Sequence, residues 1–178
     1  MDIISLLSNE AIKSLEKRQE IVIAIQTQLI SIKEIQALKD MLEDKKLVLV
    51  LEAMETVTSK TPEMANVDWL KFVQDLISSK SNNIKREASR IVGNIAHMFP
   101  DDLETVIHNL MENTTNKGTV IRWGSAYALA KIIQIPKYAN SEFYDILNKL
   151  CEQEQENGVK NQLLCGLKKA KKLKKEKL

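Results

Sequence analysis

Apolar residues recur along this chain at helical spacing, in blocks that repeat. One set reads Ile32, Ile35, Leu38 and Leu42; then Leu70, Val73 and Ile77; then Leu103, Ile107 and Leu110; then Phe143, Leu147 and Leu150. Steps of three and four place each group on one face of an amphipathic helix. A second set follows each of the first. Ile84 to Ile95, Ile121 to Ile132 and Val159 to Ala170 align without gaps, and each opens with a β-branched aliphatic followed by a cation. Their starts differ by 37 and then 38 positions, and another step of 37 back reaches Leu47, which opens a more apolar copy. Pro62, Pro100 and Pro136, spaced 38 and 36 apart, fall just after these second helices. A proline there ends one helix and lets the next begin. Two unrelated residue classes thus report one period.

The predicted unit is helix A, tight turn, helix B, proline loop. The turns are Glu43-Asp44-Lys45, Ser81-Asn82-Asn83, Asn116-Lys117-Gly118 and Glu156-Asn157-Gly158. Asn and Gly in them are expected to take positive φ and close each hairpin. A single unit buries too few side chains to offset the entropy of ordering its chain, so the units must stack. The expected architecture is an all-α solenoid of about five antiparallel helix pairs, forming one domain over 1–178. Residues 1–30 form an N-terminal capping pair, 31–62, 63–100, 101–137 and 138–172 are repeats, and 173–178 are a basic tail.

The copies around Asn83-Ile84-Lys85-Arg86-Glu87-Ala88 and Ile121-Arg122-Trp123-Gly124-Ser125-Ala126-Tyr127-Ala128-Leu129 resemble the second-helix signature of the HEAT-repeat family, in its compact form. The resemblance covers about residues 30–172. It implies a right-handed superhelix with B helices on the concave side, where partners bind. It further implies that Lys85, Arg122 and Lys160 tie neighbouring repeats together through turn oxygens.

Composition agrees with this picture. Hydrophobic residues make up 44 % of the chain but aromatics only 4 %, so the core is aliphatic. Five glycines and three prolines suit long helices. The net charge is +2, yet seven lysines against Glu176 give residues 168–178 a charge of +6, which leaves −4 for the rest. The start of the chain lacks a cationic signal-peptide region, and no stretch has the apolar length of a membrane span. Two cysteines make no disulfide framework, so a cytoplasmic setting is expected.

Superposing the repeats singles out one group of side chains. Arg86, Arg90 and Asn94 map onto Trp123, Tyr127 and Lys131, all off the core stripe. These residue types dominate interface hot spots. They either form a patch that binds a protein partner or seal the joint between repeats, with the arginines lying over the rings. The lysines Lys168, Lys169, Lys171, Lys172, Lys174 and Lys175 either cap the helix or meet nucleic acid or an acidic protein.

Other side chains point to less. His97 and His108 lack the companions of a metal site, and no cofactor is expected. Cys151 and Cys165 read as two reduced core thiols facing each other. Asp101-Asp102 reads as a helix cap. With no phosphate loop and no nucleophile elbow, a non-enzymatic binding scaffold is expected. The alternative is nucleic-acid binding, as the resemblance to HEAT-like DNA alkylation-repair proteins would imply, and the negative body weighs against it.

Overall fold

The computed structural model describes residues 2–175, and among these it is entirely helical, without strands. The helices are α1 (Ile3–Ser8), α2 (Ser14–Gln26), α3 (Ile32–Leu38), α4 (Asp44–Lys60), α5 (Val67–Leu76), α6 (Asn82–Ile95), α7 (Glu104–Asn113), α8 (Thr119–Ile132), α9 (Pro136–Ala139), α10 (Phe143–Gln153) and α11 (Asn157–Lys175). Helices α2, α4, α6, α8 and α11 pack side by side in one layer, each chiefly on the next. The layer of α1, α3, α5, α7 and α10 covers them, with much lighter contact among its own members. The two layers correspond to the predicted B and A helices. The packing is repeat-like throughout, and no described helix is long and apolar enough to cross a membrane.

The core lies between the layers and along the joints of the B layer. Ile84, Ala88, Ile91 and Ile95 are buried in α6, as are Ile121, Ala128, Leu129 and Ile132 in α8. From the A helices, Leu70, Val73, Ile77, Leu103, Leu110 and Leu147 reach in to meet them. Local chemistry sets several helix ends. Ser31 and Glu34 form a reciprocal capping box at the start of α3, and the Asn66 side chain accepts the Asp68 and Trp69 amides at the start of α5. At the end of α2, Gln28 takes φ 58° while Leu29 donates to the Ala24 carbonyl at 2.8 Å. That is a Schellman ending without its usual glycine.

The prolines sit where the period placed them. Pro62 opens a 3-10 turn after α4, Pro136 opens α9, and the Pro100 carbonyl accepts the Tyr138 hydroxyl at 2.9 Å. Three local expectations fail, however. The hairpin turns need no positive φ: Gln28 is the sole described residue with one, and Gly118 sits at φ −79° as the N-cap of α8. Its turn is closed by the Asn116 side chain, which accepts the Gly118 amide at 2.8 Å, while Asp44, Asn82 and Asn157 are already the first helical residues.

Asp101 and Asp102 do not cap α7, whose N-cap is Leu103 with no side-chain bond. Asp101 instead reaches forward to Lys137 at 2.9 Å. The two thiols also part company. Cys151 is buried, which pushes its thiol pKa up, whereas Cys165 is exposed.

Adjacent B helices approach closely at small residues. A β-carbon on Gly93 would lie 2.7 Å from the Tyr127 ring and 3.2 Å from the Ala128 Cα. One on Gly166 would lie 2.5 Å from the Ala130 carbonyl oxygen and 2.6 Å from its Cα. By helical register Ala130 stands one repeat on from Gly93, and Gly166 one repeat on from Ala128. The α6/α8 and α8/α11 joints are therefore the same contact made twice.

Candidate binding face

The B layer has one face away from the A helices, and the side chains singled out by repeat alignment converge there. Arg86 and Arg90 stand one turn apart on α6 and close on Glu87, a carboxylate only 1 % exposed. Arg86 donates from Nε to Glu87 Oε1 at 2.6 Å, and Arg90 donates from Nη1 to Glu87 Oε2 at 3.0 Å. Arg90 also pairs through Nη2 with Glu55 of α4 at 2.9 Å. Farther along the same face, Arg18 of α2 meets Glu52 of α4 at 3.5 Å. Both α6 arginines keep about a third of their side-chain surface, 30 % and 32 %. They are held in place by charge but remain accessible.

Tyr127 and Trp123, also one turn apart, occupy the corresponding positions on α8. Their rings stack with centroids 5.8 Å apart and planes 18° apart. The Tyr127 hydroxyl donates to Asn94 Oδ1 at 2.7 Å, and Asn94 Nδ2 donates to Thr58 Oγ1 at 3.2 Å and to the Glu55 carbonyl at 3.4 Å. This chain ties α8 to α6 and α6 to α4. Burial, with Glu55 nearby, pushes the Tyr127 hydroxyl pKa upward against the opposing pull of Arg90, so it remains a donor near neutrality.

The two ends of the patch therefore differ. Tyr127 seals the α6/α8 joint, yet Trp123, Arg86 and Arg90 line a cavity of about 420 Å³ with Arg18, Glu52, Glu55, Thr56 and Glu87. Asn94, Tyr127 and Lys131 line a second, of about 450 Å³, with Thr58, His97 and Gln134 among its walls. The stacked aromatic pair stands between the two cavities. The cation over the Tyr127 ring is Lys131, at 5.6 Å from the centroid, rather than an arginine.

Of the three expected repeat-linking cations, Lys85 and Arg122 reach the next repeat, whereas the Lys160 side chain makes no hydrogen bond or ion pair among the described residues. Lys85 donates to Asn113 Oδ1 of the next A helix at 3.0 Å. Asn113 in turn donates to the Ile77 carbonyl at 2.9 Å. Arg122 donates to the Asn116 and Lys117 carbonyls of its own turn and makes a two-point bond to Glu154 of the next hairpin, at 3.0 and 3.3 Å. Burial would raise the Glu154 carboxyl pKa, but the Arg122 guanidinium and the amides of Gln155 and Glu156 outweigh it and hold it low.

The basic tail is not a separate segment. Helix α11 runs on through Lys175, with Leu167 and Ala170 buried. Lys168, Lys169, Lys171 and Lys172 are exposed, and Lys174 lies over the Tyr144 ring at 4.0 Å. The Lys175 side chain and residues 176–178, the rest of that expectation, lie outside the described residues. Among the described residues no group of three or more His, Cys, Asp or Glu converges as metal ligands.

Sequence reasoning missed the carboxylates that fix the patch. Glu87 was legible in principle, because an acid between two arginines on one helix has them at i−1 and i+3. Glu55 and Glu52 were not, because α4 is the copy most degenerate in its apolar pattern.

No family model matches the chain, and no curated protein does. Solved structures do resemble it, and among them are three described as engineered proteins, all from the Northeast Structural Genomics Consortium. The first is 18 % identical, with a TM-score of 0.68 over 95 % of this chain, which spans 47 % of that protein's length. The second is 17 % identical, with a TM-score of 0.68 over 96 % of this chain and 80 % of the other. A third, at 13 % identity and a TM-score of 0.50, covers 97 % and 98 %. At such identities the likeness concerns the fold alone, a helical repeat-like architecture.

Proposed function

We propose that this chain is a HEAT-like, non-enzymatic scaffold of the cytoplasm that binds a protein partner through the concave, inner face of its B helices. The observation that carries this reading is the pre-set state of the Arg86/Arg90/Trp123/Tyr127 group. Glu87 orients both guanidiniums before any ligand arrives, and the aromatic rings are already stacked. Groups held in place lose little further entropy on binding, and Arg, Trp and Tyr are the side chains that most often anchor interfaces. Arg86 commits only Nε to Glu87, so both of its Nη groups lack a protein partner among the described residues. They are available to a carboxylate or a carbonyl of a partner laid across Trp123.

The test is affinity capture from cytoplasm, with and without nuclease, comparing wild type with an Arg86→Ala/Trp123→Ala variant whose helicity is verified by circular dichroism. A protein retained by wild type, lost by the variant and indifferent to nuclease is the expected result. Material that survives the variant and disappears with nuclease would sink this reading in favour of nucleic-acid binding.

A further inference from the structure

The repeated joint contact carries register information that reaches beyond the Arg86/Trp123 patch. Gly166 packs on Ala130 as Ala128 packs on Gly93, so positions on α11 can be placed by those on α8 and α6. Cys165 then stands where Tyr127 and Arg90 stand, Lys169 where Lys131 and Asn94 stand, and Lys172 where Gln134 and His97 stand. All three α11 residues are exposed. The tail lysines are thereby divided: Lys169 and Lys172 continue the inner row, Lys171 is turned about 100° or more away from both, and Lys168 is turned about 100° from Lys169 while lying within about 40° of Lys172.

Charge along the inner row is graded. On α2, α4 and α6 the cations Arg18, Arg86 and Arg90 are each paired with Glu52, Glu55 or Glu87. On α8 and α11 the cations Lys131, Lys169 and Lys172 form no ion pair with any described carboxylate. Lys131 borders the 450 Å³ cavity, whose other walls include Thr58, Ser59, Asn94, His97, Tyr127 and Gln134 and carry no carboxylate. The C-terminal half of the face thus presents uncompensated positive charge beside an aromatic floor.

We propose that this half binds an extended acidic segment of a partner protein, with carboxylates on Lys131, Lys169 and Lys172. The proposal rests on the inner face being the docking surface and specifies the partner's chemistry. Packed helices lie about 8–10 Å apart, and an extended chain of polyproline-II form rises about 3.1 Å per residue with three residues per turn. Carboxylates three residues apart therefore share one side of such a chain and match Lys131 and Lys169 on successive B helices, with Lys172 one turn beyond Lys169 on α11. A single-stranded nucleic acid fits less well, because it calls for aromatic platforms along the cationic row, and on α11 the positions equivalent to Trp123 and Tyr127 are Asn161 and Cys165.

Anisotropy of a fluorescein-labelled twelve-residue peptide with glutamate at every third position, at physiological salt, tests this. A peptide with glutamine in place of each glutamate and a twelve-nucleotide single strand serve as competing probes. The glutamate peptide is expected to bind, and the glutamine peptide at least tenfold more weakly. Lys131→Glu/Lys169→Glu should weaken the glutamate peptide at least tenfold. Lys71→Glu/Lys149→Glu, an equal charge change at exposed positions on the A helices, should stay within twofold.

Failure to bind the glutamate peptide, equal loss in the two charge-reversal variants, or tighter binding of the oligonucleotide would each overturn the proposal. Either of the first two results together with Arg86/Trp123-dependent protein capture would reject the acidic segment and leave the scaffold reading standing. Loss of capture as well would reject both.

Discussion

The α6/α8 and α8/α11 joints share one backbone contact and differ in what stands beside it. At the first, Tyr127 leans over Gly93 and hands a hydrogen bond to Asn94, which passes it to α4. At the second, the equivalent position is Cys165, exposed, with Lys169 one turn on. Small residues set how near the helices come, and this requirement recurs at both joints. The inner row is free of it, so its chemistry changes from an ion-paired, aromatic seal to a bare basic strip. In this stacked architecture the close joint contact and the variable row of side chains are thus carried by different faces of the same helix.

The largest effect should fall at the second joint. Gly166→Ala places its β-carbon against the Ala130 backbone, and backbone cannot turn aside. A loss of about 3 kcal/mol is expected from such overpacking. For a chain of this size that is a fall of roughly 6–12 °C in Tm. A change under about 1 kcal/mol would mean that the joint is looser than its geometry, and would break the equivalence of the two contacts. Next comes Glu87→Gln, at about 2 kcal/mol. It removes a buried charge bonded to two arginines, and these recover part of the loss because each is about a third exposed to water. Denaturant unfolding at neutral pH measures it.

These two variants also mark what the sequence could reveal. The 37- and 38-residue register of Ile84, Ile121 and Val159 reports core positions, because burial at a helical period leaves a pattern in composition. It also brought Arg86, Arg90, Asn94, Trp123, Tyr127 and Lys131 into one frame, and the structure gathers them on one face. Their partners were hidden. Glu55 meets Arg90 across 35 positions on a helix with a different exposed stripe, and no local spacing encodes such a pair. The turns misled for a related reason: Asn116 closes its turn with a side-chain bond, which residue type alone does not separate from a left-handed backbone.

Gly93→Ala sharpens the comparison from the other side. The nearest atoms to the new β-carbon belong to the Tyr127 ring, at 2.7 and 2.8 Å, and a side chain can swing aside about χ1. That swing, unlike a turn about χ2 that leaves the hydroxyl on its axis, would forfeit the bond to Asn94, so about 1–2 kcal/mol is expected, less than at Gly166. In a Tyr127→Phe background, where that bond is already absent, the cost of Gly93→Ala should fall. A double-mutant cycle reads the difference as coupling between the two positions. Strict additivity would show that the ring is not the element that yields, and the contrast between the joints would then reduce to glycine packing alone.

The smallest effect separates the joints by pH. Beside the α6/α8 joint a polar clamp links Lys85 of α6 to the neutral side chain of Asn113 on α7, whereas beside the α8/α11 joint Arg122 of α8 pairs with the Glu154 carboxylate at the end of α10. Glu154 has its pKa held below the ordinary value in the folded chain. Its contribution is therefore complete above the unfolded value of about 4.3 and is lost as pH falls through the lower, folded one. Glu154→Gln should cost about 1 kcal/mol at pH 7, a cost that shrinks as pH falls through the lowered, folded value. Asn113→Ala should show a cost that does not follow this titration. Parallel pH profiles for the two variants would mean that the second clamp does not depend on charge, and the joints would then differ only in their inner row.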